Sequence, residues 1–128
     1  MKTLKSNQGQ SIIEVVVALS LVVLVILGLV KVSVTSINNT AFARDQRAAT
    51  KYAQEGIEKA RQCKEENEIA FWNKSCPELA ALTDTKFTRQ ITYTQIEEGK
   101  MQVDVVVSWI DGKGQHKSSL TTYLTKWE

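Results

Sequence analysis

Proline, glycine, histidine and cysteine are all scarce in this chain of 128 residues, which has one proline, six glycines, one histidine and two cysteines. The few glycines form no phosphate-binding loop, and neither a G-x-S-x-G elbow nor an H-E-x-x-H pair is present. Two cysteines cannot complete a four-ligand zinc site, and His116 lies too far along the chain to join them. We therefore expect no enzymatic activity, no catalytic residues, no cofactor and no metal.

The charge balance excludes a strongly basic protein. The chain has 16 lysines and arginines against 14 aspartates and glutamates, and Lys2 and Lys5 precede Gly9, so the remainder is neutral. A neutral body lacks the electrostatic footprint of nucleic-acid binding. We predict no nucleic-acid partner, although Lys113, Lys117 and Lys126 leave a local basic patch as an alternative.

One long apolar run is present near the start of the chain. From Ile12 to Val30 it is interrupted only by Glu14 and a few small residues, and its length is close to the roughly 20 residues that span a bilayer. A secretory signal peptide usually has a shorter apolar region of about 7 to 15 residues and a small-x-small cleavage site, which "VSVTS" matches poorly. A plain anchor fits the length but not Glu14, because charged residues in membrane segments are costly and indicate a functional partner.

Gly9, the following "QSIIE" and the apolar helix resemble the leader and first turn of a type IV prepilin. In that family a membrane peptidase cuts after the glycine and methylates the new amino terminus. The resemblance implies cleavage between Gly9 and Gln10, N-methylation of Gln10, and an assembly role for Glu14 opposite the amino terminus of an adjacent subunit. Gln10 and Glu14 are four residues apart, which places them on one face of a helix.

Two departures from the family pattern refine this interpretation. The family most often has phenylalanine where this chain has Gln10, which changes the residue that would be methylated. Major pilins commonly have a helix-breaking proline where this chain has Lys31, and its only proline is Pro77. The missing proline favours a minor pilin or pseudopilin.

Beyond the bilayer the helical pattern continues without proline to Arg61. Apolar residues recur at helical spacing and predict an amphipathic helix: Val34, Ile37, Ala41, Ala48 and Tyr52, with Phe42, Ala49, Ala53, Ile57 and Ala60 widening the stripe. We expect it to end between Cys63 and Asn67, with Gly28 and Gly56 as places of bending or close approach.

The connection after the helix is predicted to contain a second, short helix and a disulfide. Ser75-Cys76-Pro77-Glu78 has the form of a capping box before "PELAAL". For a domain outside the cytoplasm we expect a disulfide between Cys63 and Cys76, with buried free thiols as the alternative.

The last third of the chain changes to the two-residue period of strands. Three segments, "FTRQITYTQI", "MQVDVVVSWID" and "SSLTTYLTKW", are separated by turns at Gly99 and at Gly112 and Gly114. We predict a three-stranded antiparallel meander whose apolar face, Val103, Val105, Val107 and Trp109 with Met101, covers the stripe of the long helix. We expect His116 to be a solvated residue of the polar turn "GKGQHK".

Together these predictions give an α+β, pilin-like lollipop with a long N-terminal membrane-spanning helix packed on a small three-stranded antiparallel β-sheet. The expected parts are a leader (1–9), a transmembrane and assembly part of the helix (10–31), its exposed amphipathic half (32–66) and a globular head (67–128). The positive-inside tendency places the basic leader in the cytoplasm and the head outside it.

The predicted function is that of a structural subunit, a minor pilin or pseudopilin, of a type IV filament system. Its partners would be other pilin or pseudopilin subunits, the prepilin peptidase and the inner membrane, which it crosses once before it joins a cell-surface or periplasmic filament. The alternatives are a pseudopilin of a type II secretion or competence apparatus, an uncleaved membrane-tethered adhesin or sensor module, and a small domain released by signal peptidase.

Overall fold

The computed structural model describes residues 8–77, 82 and 85–126, with side chains from Ser11 onward. It contains two helices, α1 (Gln8–Glu66) and α2 (Glu68–Trp72), and three strands, β1 (Thr88–Glu97), β2 (Lys100–Asp111) and β3 (Gly114–Thr125). Internal contacts divide the chain into two units between Phe42 and Ala43. In the described residues the first unit is helix alone, and the second, called the head here, holds the rest of α1 with α2 and the sheet.

The end of α1 at Glu66 confirms the boundary predicted between Cys63 and Asn67. Asn67 then starts α2, because its side-chain oxygen accepts a hydrogen bond from the backbone N–H of Ala70 at 3.0 Å. Asparagine is a preferred N-cap residue, so "NE" at 67–68 was a signal for α2 that the sequence analysis missed. The helix predicted for "PELAAL", residues 77–82, cannot be compared with the structure, because 78–81 lie outside the described residues.

The sheet is the predicted antiparallel meander, with strand order β1-β2-β3. Gly99 has φ of +78°, which permits the turn between β1 and β2 because glycine adopts this left-handed conformation without steric cost. The second turn is tight, with Asp111 paired directly to Gly114. β3 therefore starts at Gly114, earlier than expected, and most of "GKGQHK" is strand.

The core of the head lies between α1 and the sheet. The predicted β2 face is fully buried. It packs with small residues of α1, with Phe71 of α2 and with Leu124 of β3. The members of this cluster are Ala49, Ala53, Ala60, Phe71, Met101, Val103, Val105, Val107, Trp109 and Leu124. A Cβ atom at Gly56 would lie only 2.8 Å from Cγ1 of Val105. Gly56 is thus the close approach that the sequence suggested, whereas Gly28 has nothing within 4 Å of such an atom.

Aromatic rings fill the two ends of this core. Phe71 of α2 is fully buried and meets Tyr93 of β1 edge-on, with ring centroids 5.9 Å apart. Phe87 lies between Trp109 and Tyr52, at centroid distances of 5.8 and 5.4 Å. Edge-on and tilted arrangements are the favoured ones for aromatic pairs, so these rings fix where the chain enters β1 and where α2 lies.

Candidate membrane and assembly site

The first unit presents an apolar helical surface to its surroundings. Every described side chain from Ser11 to Phe42 is exposed, including Ile12 at 66%, Leu19 at 60% and Val25 at 62%. By length and composition α1 is able to cross a membrane, and its most apolar window is not buried at all. An exposed apolar surface of this extent indicates contact with lipid or with another chain.

Four hydroxyl groups of this segment, those of Ser20, Ser33, Thr35 and Thr40, donate to backbone carbonyls of the same helix. Ser20 donates to the carbonyl of Val16 at 2.8 Å, and Ser33 donates to the carbonyl of Leu29 at 2.9 Å. Thr35 makes the same bond to Lys31 at 3.0 Å. Because an unsatisfied polar group in hydrocarbon is costly, these internal bonds lower the cost of placing those four side chains in a bilayer.

Two ionisable side chains interrupt the segment between Ser11 and Phe42. Glu14 lies near its start and Lys31 just after the apolar run. Both are exposed. Both charges are therefore open to groups outside the described part of the chain.

The predicted cleavage residues lie in the first turn of α1. The helix begins at Gln8 and includes the backbone of Gly9 and Gln10; the side chain of Gln10 is outside the described set. Glu14 follows Gln10 by one turn, as the spacing predicted. The first turn contains no acidic residue, so Glu14 is the nearest described carboxylate to the peptide bond that would be cut.

Cys63 and Cys76, the other predicted pair, are joined by a disulfide, with their Cα atoms 6.0 Å apart. Cys63 lies in the last turn of α1, and Cys76 follows α2. The bond therefore closes a loop around α2 and holds it against the end of α1. Among the described residues no cysteine is free.

The helix and sheet of the head also enclose two charged residues that sequence reasoning missed. The side chain of Arg89 is only 6% exposed and lies 3.6 Å from the Glu55 carboxylate, while its guanidinium donates to the carbonyl of Tyr52 at 3.2 Å. Asp45 is 6% exposed and pairs with the ammonium group of Lys86. Strand alternation was the available signal for Arg89, because it shares a face with Ile91 and Tyr93.

The prediction that His116 is a solvated residue of a turn was wrong. This residue lies on β3, half-buried, with Nε2 2.8 Å from a carboxylate oxygen of Asp111, and its ring is 5.4 Å from that of Trp109. The backbone N–H of Lys113 donates to the same carboxylate at 2.7 Å. These two hydrogen bonds hold the pKa of Asp111 below its ordinary value, and the bond from Lys113 has the larger effect.

The outer face of the sheet is polar. Asp104 accepts hydrogen bonds from Gln102 at 2.7 Å and from Thr121 at 2.6 Å, and the ammonium of Lys100 lies 5.4 Å from the ring centre of Tyr123.

An open cleft of about 610 Å³ lies between the end of α1 and β3, lined by Arg61, Lys64, Glu65, Glu68, Tyr123, Leu124 and Thr125. In the described part of the chain no three metal-ligating side chains form a group.

Comparison with protein-family models, curated proteins and solved structures found no match to this chain.

Proposed function

We propose that the chain is a membrane-anchored structural subunit, a minor pilin or pseudopilin, of a type IV filament system. The observation that carries the proposal is Glu14. It is an exposed carboxylate in the otherwise apolar run from Ile12 to Val30 of α1, one turn after Gln10 and five residues after Gly9. A membrane anchor alone has no use for this charge, whereas a subunit that pairs with a neighbour does.

Cleavage after Gly9 would create the group that Glu14 needs. The new α-amino group at Gln10 has an ordinary pKa of about 7.7 to 8.0, so it is largely protonated at neutral pH. When apolar helices pack together, a carboxylate without a partner is costly in their interior. Helix packing would therefore supply the affinity between subunits, and the pairing of Glu14 would select the register.

The place of the scissile bond is consistent with processing. A peptidase must reach the Gly9–Gln10 bond, which lies in the first turn of α1. Helix ends open at low free-energy cost, and glycine weakens a helix by about 1 kcal/mol relative to alanine. The glycine thus lets the first turn unwind into the peptidase while the apolar helix remains intact.

The head would remain outside the membrane as the displayed part of the subunit. Its disulfide suits an oxidising compartment, and its polar outer sheet face suits exposure to water. Its partners would be other pilin or pseudopilin subunits, the prepilin peptidase and the inner membrane, which it would cross once. The filament would be a pilus or the pseudopilus of a secretion or competence system.

The test is the intact mass of the chain produced with and without a prepilin peptidase, with Gly9→Val as the blocked variant. We expect a product that begins at Gln10 and carries one added methyl group, absent from the Gly9→Val sample. Retention of residues 1–9 beside a demonstrably active cognate peptidase would make the chain an uncleaved tethered module instead. A start beyond Val32 would mean that the apolar run was a signal peptide.

Glu14→Ala separates processing from assembly. We expect this variant to be cleaved normally but to enter filaments at least tenfold less than the parent, as measured by its amount in sheared filament fractions. Ser20→Ala is the matched control, because its hydroxyl is satisfied by its own backbone and should not be needed for assembly. Normal incorporation of Glu14→Ala would remove Glu14 from the mechanism.

A further inference from the structure

Helix α1 and strand β3 run in the same direction through the head. The hydroxyl oxygens of Thr50 and Ser118 lie 3.4 Å apart, and further along both elements Lys64 donates a hydrogen bond to the carbonyl of Thr125. The β2–β3 turn precedes Ser118, so it lies at the end of the head where α1 enters. We call this the entry end, and the end with the β1–β2 turn the far end.

The entry end has exposed cations without a counter-charge. Arg44 and Arg47 lie on α1, and Lys113 and Lys117 lie on the β2–β3 hairpin, all of them exposed. These four residues are called the basic collar. Among the residues that the structure describes, none of the four takes part in an ion pair.

The carboxylates described at the entry end are already engaged. Asp45 pairs with Lys86, and Asp111 accepts a hydrogen bond from the backbone N–H of Lys113 and lies against His116. The basic collar and Lys86 give five positive charges against these two negative ones. The entry end is therefore cationic in the described part of the chain.

The far end has the opposite balance. Its described acidic residues are Glu65, Glu66, Glu68, Glu97 and Glu98. Lys126 also belongs to this end, because its backbone N–H donates to the carbonyl of Gly99 at 2.7 Å. The fold thus separates Lys126 from Lys113 and Lys117, which the sequence had suggested as one patch, and the cationic surface is confined to the entry end.

The membrane-capable part of α1 leads directly to the basic collar. The exposed apolar side chains from Val15 to Ile37 cover about 33 Å of helix, close to the 30 Å or so of a bilayer core, and Lys31 can extend its ammonium toward the membrane surface. Arg44 follows Ile37 by seven positions, or about 10 Å of helix. This distance is close to the range of about 8 to 10 Å over which a charged membrane surface attracts cations at physiological salt.

We propose that the basic collar binds the anionic headgroups of the membrane in which α1 is anchored, so that the head of an unassembled subunit lies on the membrane surface. The inference rests on the membrane anchor of the proposed function, and it needs neither cleavage nor assembly. The occupant is a lipid surface because the anchor holds the collar beside one, and its charge complements that of anionic headgroups.

The test uses the full-length chain in vesicles of phosphatidylcholine alone or with added phosphatidylglycerol. Gly112→Cys carries a fluorophore at the entry end, where a Cβ atom meets nothing within 4 Å, and Glu98→Cys carries it in the exposed turn of the far end. Cys63 and Cys76 are joined to each other and take no label. A nitroxide on the lipid headgroups quenches the fluorophore of a docked head.

We expect phosphatidylglycerol to increase quenching at position 112 but not at position 98, and about 0.5 M salt to remove the increase by screening. Lys113→Gln with Lys117→Gln should lower the ratio of docked to undocked heads about tenfold, and so should Arg44→Gln with Arg47→Gln. The matched control is Lys59→Gln with Lys126→Gln, which removes the same charge away from the entry end and should change the ratio less than about twofold.

Equal quenching at position 112 with and without phosphatidylglycerol would overturn the inference, as would an equal loss in the control pair. A label at position 112 that responds to added single-stranded DNA but not to phosphatidylglycerol would assign the collar to nucleic acid instead. The cleavage masses separate the two proposals. A chain that keeps residues 1–9 but docks on anionic vesicles contradicts the proposed function alone, whereas a chain that begins at Gln10 and ignores phosphatidylglycerol contradicts only the docking.

Discussion

Gly56 allows the sharpest test of how α1 packs on the sheet. The Cβ of an alanine at this position would lie 2.8 Å from Cγ1 and 3.1 Å from Cγ2 of Val105, both closer than ordinary van der Waals contact. Val105 is fully buried, and its branched side chain has few rotamers to retreat into. Gly56→Ala must therefore move the helix or the strand.

The expected change in stability is the difference of two terms. Replacing a helical glycine with alanine stabilises by about 1 kcal/mol, and overpacking a dense core costs about 1 to 3 kcal/mol. We expect Gly56→Ala to lower the free energy of unfolding of the head by about 1 kcal/mol. For a domain of this size that corresponds to a decrease in Tm of about 4 to 8 °C.

The assay is thermal unfolding of the full chain in detergent, followed by near-ultraviolet circular dichroism of the buried Trp109. Gly28→Ala is the matched control, because Gly28 lies on the same helix with nothing within 4 Å, and the Tm of the head should not fall. In a Val105→Ala background the sign should reverse, with Gly56→Ala stabilising the head since the space is open. A stabilising Gly56→Ala in the parent chain would refute the close approach.

Three further predictions concern the head. Replacing Cys63 and Cys76 with serine should lower the free energy of unfolding by about 3 kcal/mol, the value for a loop of this length in the chain-entropy model, and urea unfolding of the reduced parent should give the same loss. Asp111→Asn should lower Tm at pH 7, and the deficit should disappear on acidification. Because the pKa of Asp111 is lowered in the folded head, its carboxylate stabilises the head at pH values above the ordinary aspartate pKa of about 3.9. This stabilisation is lost as the pH falls through the lower pKa of the folded state. A Tm deficit that does not change with pH would contradict this. Arg89→Lys should cost about 1 to 2 kcal/mol, since lysine cannot match the planar guanidinium at the carbonyl of Tyr52, and denaturation equal to that of the parent would show that this contact contributes nothing.

Local pattern was sufficient to predict most of the fold. The helical spacing of apolar residues predicted α1 to within a few residues, and the alternation in "MQVDVVVSW" predicted the buried face of β2. Both predictions succeed because burial on one face imposes a period on the sequence that each segment carries by itself. The same reasoning predicted the membrane-capable helix, since length and composition decide that property.

The predictions failed where the answer depended on what lies opposite a residue. His116 was assigned to a turn because "GKGQHK" is polar, but the tight pairing of Asp111 with Gly114 extends β3 and brings the ring against Trp109. The helix α2 was missed because its five residues are too few for a periodic pattern, although Asn67 carried the capping signal.

The sequence by itself determined that this chain has a long apolar helix with Glu14 and Lys31 at the ends of its apolar run, followed by three strands. Only the tertiary structure decided that Asp45 is buried, that Arg89 pairs with Glu55, that Gly56 touches Val105 and that Asp111 holds His116. These are contacts between segments distant in sequence, and the free energy of a buried charge or a missing methyl group depends on the partner that the fold supplies.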